Sequence, residues 1–298
     1  MSPQVVALAL ITLLASTVNG ALGYGFSVIT VPLALLFLSN RVLNPALVLV
    51  EVVLNAYVLW VNRASLPQVW RRVTPMIVGL APGIVVGTLI LARVNPGWLR
   101  FYTFVALLPL ILLQAAGYRR PIQSERAAGL VFGGGLGVLY SVTTISGPPL
   151  AILFNNQGLV KDEFRAGLAL VRAVESSVTA IVYYHLGLFV SESVPLLPAF
   201  ATAMLIGIPL GAYAIRHLDA ETFRRICMSF DAWIVGFGLS RVLIELQLVS
   251  SPEAYGFMAA TIVIDVYLLY LFFMRRAAAR RRPLDDAIGP WTSPRDSC

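Results

Sequence analysis

The chain has 298 residues, of which 58% are hydrophobic and only 12% charged, with a net charge of +7 and a mean hydropathy of +0.81. A soluble domain is about one-quarter charged and a disordered chain is poor in apolar residues, so both classes are excluded. Two cysteines (Cys227, Cys298) and two histidines (His185, His217) exclude a disulfide framework, a four-ligand zinc site and a multi-histidine centre, so neither a metal nor a cofactor is expected.

A membrane-crossing helix needs about 20 mainly apolar residues. The first apolar stretch, 5–38, is too long for one straight span and is interrupted by glycine and proline. It predicts a broken unit: a helix, a non-helical break, then a shorter helix. No basic residue precedes it and no cleavage site is evident, so it reads as part of the mature protein and not as a signal peptide. Spans follow at 44–62, which carries Glu51 and Asn55, at 73–92, with small residues from Gly79 to Gly87, and at 99–116. A basic linker at 118–126 leads into a second broken stretch, 127–156. Then come spans at 166–186, with Arg172 and Glu175, at 195–215, at 225–246, with Asp231, and at 254–274, with Asp265 at its centre. Residues 275–298 form a basic tail, expected to be disordered.

The basic residues set the orientation. Arg63, Arg71 and Arg72, then Arg119, Arg120 and Arg126, then Lys161 and Arg165, then Arg216, Arg224 and Arg225, and the tail arginines all fall between or after spans. With these on the cytoplasmic side, the other side keeps only Arg41, Arg93, Arg100 and Arg241, a strong positive-inside bias. The +7 is then a topology signal and not a nucleic-acid patch, and the C-terminus is cytoplasmic. The basic groups on either side of 127–156 share one side, so an even number of passes separates them. A re-entrant hairpin from the cytoplasm satisfies this, and by the same count 5–38 is a hairpin from outside. A single kinked span in each place is the alternative.

The two halves resemble each other. Gly20, Leu22, Gly23, Ser27, Val28 and Thr30 match Gly134, Leu136, Gly137, Ser141, Val142 and Thr144. Pro-Leu-Ala-Leu-Leu-Phe at 32–37 matches Pro-Leu-Ala-Ile-Leu-Phe at 149–154. Glu51 corresponds to Glu175, Gly83 and Gly87 to Gly207 and Gly211, and Arg100 to Arg224. The expected fold is an all-α polytopic membrane protein of two inverted repeats, 1–117 and 127–246. Each repeat is a broken, re-entrant helix unit plus three transmembrane helices, and the helix at 254–274 stands outside them. Inverted repeats whose broken helices meet near the midplane are a common build of secondary transporters.

Chemistry is expected where backbone or charge is exposed at membrane depth. A half-helix starting at a break aims amide groups and its positive dipole end inward, which suits an anion. Gly23, Gly25, Ser27 and Thr30 at the first break, and Ser141, Thr144, Ser146 and Gly147 at the second, are therefore candidate binding residues, with Asn155 beyond. Packing kinks, with Ser and Thr bonding their own helix, are the alternative. Arg172 can bind an anionic group, and Glu51 and Glu175 can carry protons. Arg172 and Glu175, at i and i+3 on one helix, can instead neutralise each other. The aromatic residues read as lipid-facing or interface anchors. Small-residue runs permit close packing within a subunit or in a homodimer.

Gly-Pro-Pro at 147–149, Asn-Gln-Gly at 156–158 and Lys-Asp-Glu-Phe-Arg-Ala at 161–166, with Gly20-x-x-Gly23-x-Gly25 and Val31-Pro32-Leu33, resemble the TauE/SafE family of sulfite exporters over roughly residues 5–245. The resemblance implies an inner-membrane transporter of sulfite, organosulfonates and related small anions, with the Gly20–Gly25 and Ser146–Pro149 breaks in its site. No catalytic residue is expected. The competing class is an intramembrane enzyme such as a polyprenyl-diphosphate phosphatase, but neither break holds an arginine and no Asp-rich motif appears. A passive channel is a third option, and no ATP-binding loop is present.

Overall fold

The computed structural model describes residues 3–22, 25–116, 125–156, 161–214, 217 and 219–281. The first half runs α1 (Pro3–Leu22), α2 (Phe26–Ala34), α3 (Asn40–Val61), α4 (Leu66–Arg93) and α5 (Pro96–Ala115). The second runs α6 (Glu125–Thr143), α7 (Gly147–Asn156), α8 (Lys161–His185), α9 (Leu197–Ala214) and α10 (Ala220–Glu245), and α11 (Tyr255–Arg281) follows. No strand occurs among the described residues. In lipid every backbone polar group must be satisfied within the chain, and helices do this within one segment. Residues 118–124 of the linker and 282–298 of the tail lie outside the described residues; the tail's first residues, 275–281, continue α11, where disorder was expected.

Among the described residues eight helical stretches are long and apolar enough to cross a membrane. Seven are the spans read from the sequence. The eighth is Gln4–Ala21, so the first arm of the first broken unit is itself as long as a crossing, whereas the apolar part of α6, Gly129–Thr143, is shorter.

Both expected breaks are present. Gly25 precedes α2 at φ 108°, a left-handed conformation that glycine adopts without a Cβ penalty. Thr144 precedes α7 at φ 56°. For a β-branched residue this is an outlier of the kind held in place only by surrounding structure. The surrounding bonds are identifiable. Thr144 N–H donates to Tyr140 O at 2.6 Å. The carbonyls freed at the end of α6 accept from other helices: Val142 O from Asn40 and Asn44 of α3, and Ser141 O from the Tyr183 hydroxyl of α8.

The helices pack in an exchanged pattern, α4 along α6 and α1 along α9. Glycines allow it. A Cβ on Gly83 would overlap the backbone of Gly134, and one on Gly87 would meet Ser141 and Val138. Gly207 and Gly211 face Ser16 and Thr17 of α1 in the same manner. Contacts advance in the same direction along each pair, so α6 runs parallel to α4 and α1 to α9. By contrast α3 and α8 are antiparallel. Asn55 bonds Arg172 O and Ser176 Oγ near one end, while Asn44 and Tyr183 converge on the end of α6 near the other.

One register does not carry over onto the helices. The match of 20–30 with 134–144 sets Ser27 and Thr30 beside Ser141 and Thr144. The structure places Ser27 and Thr30 in α2, after the first break, but Ser141 in α6 and Thr144 at its end, before α7. Short glycine-rich matches align by composition, and the position of the break is decided by packing.

α11 lies on the outside of α10. Thr261 fills the space over Gly236, and buried Arg225 and Asp265 pair at 2.9 Å. Asp265 also accepts from Trp233 Nε1 at 3.1 Å.

Candidate functional site

Glu51 is the twelfth residue of the 22 in α3 and is fully buried. Three donors from three other helices converge on its carboxylate. Ser27 Oγ of α2 donates to Oε1, the Tyr140 hydroxyl of α6 donates to Oε2 at 2.6 Å, and Arg172 Nη2 of α8 lies 3.3 Å from Oε1. Charge-assisted bonds of this kind are stronger than neutral ones and offset the cost of removing a carboxylate from water.

Glu175 lies one turn beyond Arg172 and is also fully buried. Arg172 is not its ion-pair partner; the guanidinium reaches across to Glu51 of the other half. The i,i+3 spacing made a local pair available, and the tertiary fold supplied a different one. Both Glu175 oxygens lack a hydrogen-bond partner among the described residues. Ser146 Oγ, at the second break, sits beside this carboxyl outside hydrogen-bond geometry and is unpartnered too. Thr30 Oγ1, Thr179 Oγ1, Asn19 Oδ1 and Arg172 Nε are further buried atoms without partners. Buried polar atoms are nearly always satisfied, so Ser146, Arg172 and Glu175, exceptions that lie together, point to a place that water or a ligand fills.

A cavity of about 410 Å³ leads to this cluster. Its mouth is lined by Asn62, Val61 and Arg165, and its floor by Asn19, Asn55 and Arg172. Eleven residues of helix separate Asn62 from Glu51, about 16 Å at the usual rise, or roughly half the thickness of a hydrocarbon core. The mouth opens on the side that carries Arg63 and Arg165. A larger groove of about 640 Å³ between α3 and α9 is lined almost wholly by apolar residues such as Leu49, Val53 and Leu205. It holds no charged group, and its walls are the outward-facing surface of the bundle.

The other candidate residues divide clearly. Ser141 bonds Gly137 O at 2.8 Å, and Thr144 bonds Thr143 O at 2.7 Å, so these two hydroxyls serve their own helix. Ser27, Thr30 and Ser146 do not. Gly23 lies outside the described residues, as does the side chain of Asn155. Gly147 begins α7, but Pro148 and Pro149 carry no N–H and Leu150 N–H donates to Ser146 O at 3.1 Å. At most one amide of that first turn is left for a ligand, so side chains dominate the polarity there. Asn19 to Ala21, just before the first break, line the cavity with Val58 to Asn62, whereas Val142, just before the second, lies against Asn40 and Asn44. Ser27, just after the first break, reaches Glu51, and Ser146, at the second, lies beside Glu175. Tyr140 is the member that the sequence did not single out; its signal was a hydroxyl-bearing aromatic deep in a glycine-rich helix.

A family model described as sulfite exporter TauE/SafE matches residues 8–237. A Cupriavidus necator protein described as "probable sulfite/organosulfonate exporter TauE" is 31% identical over 122 residues, which cover 38% of this chain and 45% of that protein. The chain thus spans under half the length of that relative. No solved structure matches the chain.

Proposed function

The chain belongs to the sulfite exporter TauE/SafE family, and from that premise we propose that it is a secondary transporter of small sulfur-containing anions, sulfite and organosulfonates among them. The observation that carries the reading is Arg172: a buried guanidinium on the floor of a cavity that opens on the basic side of the bundle. In this reading the arginines at the mouth concentrate anions, Arg172 binds the oxyanion, and the unpartnered hydroxyls of Thr30 and Ser146 complete the shell. Glu51 and Glu175 are the proton-coupling groups. TauE/SafE proteins are membrane transporters, which sets aside the phosphatase reading.

Alternating access follows from an inverted repeat in which α1–α5 and α6–α10 are equivalent and the two broken units enter from opposite sides. The antiparallel α3 and α8 support it, as does the exchange by which α1 packs on α9 and α6 on α4. Rocking one half against the other about the α3–α8 contact closes the cavity at Asn62 and opens a path from the opposite face. In this reading the basic loops and the cavity mouth face the cytoplasm of a cell with the chain in its inner membrane.

The test is counterflow in proteoliposomes with sulfite, sulfate, sulfoacetate and taurine, and chloride as control. Saturable exchange of a sulfur anion, without matching chloride flux, is the expected result. Exchange of no member of the panel by folded protein would refute the assignment, and flux without saturation would indicate a channel.

A further inference from the structure

Resting on that reading, we infer that the Glu51 carboxylate is a tethered stand-in for the transported anion, and that an anion enters the site only as Glu51 takes up a proton and releases Arg172. A carboxylate that needed only charge neutralisation would be served by one arginine. Glu51 instead sits in a built oxyanion cradle, with Ser27, Tyr140 and Arg172 donating from α2, α6 and α8. These donors suit any small oxyanion, and a sulfonate or sulfite offers them the same kind of oxygen.

The charge balance requires an exchange. Among the described residues Arg172 is the one cation facing the cluster, against two acids, Glu51 and Glu175. The titratable and charged groups around Glu51 are Tyr140 from α6 and Arg172 and Glu175 from α8; α2 contributes only Ser27. The other neighbours of α3 keep theirs near helix ends: Arg71, Arg72 and Arg93 on α4, Arg100 and Tyr102 on α5, Tyr213 on α9. A second anion beside an ionised Glu51 would leave one guanidinium shared between two negative groups in a buried site. When a proton from cavity water bonds to the Glu51 carboxylate, the ion pair opens and the incoming oxyanion takes the guanidinium. The site gains one proton and one negative charge, and its net charge is unchanged. Arg172 is suited to the handover, because its contact with Glu51 is the long one at 3.3 Å and its Nε is unengaged.

The experiment is titration calorimetry of the purified protein with sulfoacetate, which does not itself titrate between pH 6 and 8, in buffers of different ionisation enthalpy. The expected result is uptake of about one proton per anion bound, with affinity falling by up to about tenfold per pH unit as the pH rises. Glu51→Gln should bind sulfoacetate at least as tightly as wild type at pH 8, without proton uptake and without the pH slope. Asp231→Asn, which removes a buried acid on α10 outside the cluster, should keep both. Wild-type binding with no proton uptake would overturn the inference while leaving the transporter reading intact, whether or not Glu51→Gln folds. So would Glu51→Gln binding that still takes up a proton. Absence of binding to the wild type would overturn the parent reading and this one with it.

Discussion

Arg172 and Glu51 are separated by 121 positions in the chain and meet at the centre of the bundle. A buried carboxylate with three donors depends on each of them. Tyr140→Phe leaves Glu51 Oε2 without its bond and should destabilise the protein by about 1–3 kcal/mol. An unchanged thermal unfolding midpoint in detergent would show that the bond is not made. The residue types of this site were legible because charge inside an apolar span is costly and therefore conspicuous; Glu51, Arg172 and Glu175 stood out for that reason, and Ser27 for its place beside the first break. Their partnerships were not legible. Spacing along α8 pointed to an Arg172–Glu175 pair, and only the crossing of α3 over α8 gives the arginine to Glu51. Tyr140 was hidden because an aromatic ring in a membrane helix is ordinarily a lipid or interface residue, whereas here its hydroxyl is fully buried.

At the scale of elements, helix contacts depend on the absence of side chains at chosen positions. Gly83 and Gly207 hold the backbones of α4 and α6, and of α9 and α1, close together. Overpacking typically costs about 1–3 kcal/mol, and overlap with backbone or a tightly held side chain leaves little room to relax. Gly83→Leu and Gly207→Leu should therefore lower the unfolding midpoint sharply, whereas Gly135→Leu, which meets nothing within 4 Å, should not; equal behaviour of all three would contradict the packing. The clamp between α10 and α11 gives a second test. Arg225→Ala strands Asp265 as a buried charge and should cost about 3–5 kcal/mol, and adding Asp265→Asn should recover much of that loss. No recovery in the double variant would mean that the two do not interact. Long apolar runs made the seven clear spans legible, since length and composition alone decide a crossing. The broken units were legible as interrupted from their glycines and prolines. What holds the second break was not: Asn40, Asn44 and Tyr183 reach the carbonyls at the end of α6, and such contacts have no periodic signature.

Across the whole molecule, the cavity mouth shares one side with Arg63 and Arg165, the cytoplasmic side in the proposed orientation. In a background with Cys227 and Cys298 replaced by serine, Ser65→Cys should react with an impermeant thiol reagent only from the cytoplasm, and Ser191→Cys only from outside. Labelling of both from the same side would contradict the helix order, and a reversed pattern would contradict the orientation. Whether Arg172 holds the transported anion is tested most directly by sulfite and sulfoacetate counterflow through Arg172→Gln in proteoliposomes, beside wild type and with folding checked by elution profile. Exchange of both anions should fall at least tenfold, a loss of about 1.4 kcal/mol or more in anion binding, while the variant still elutes as folded protein. Exchange at the wild-type rate with an unchanged half-saturation concentration would place the anion elsewhere.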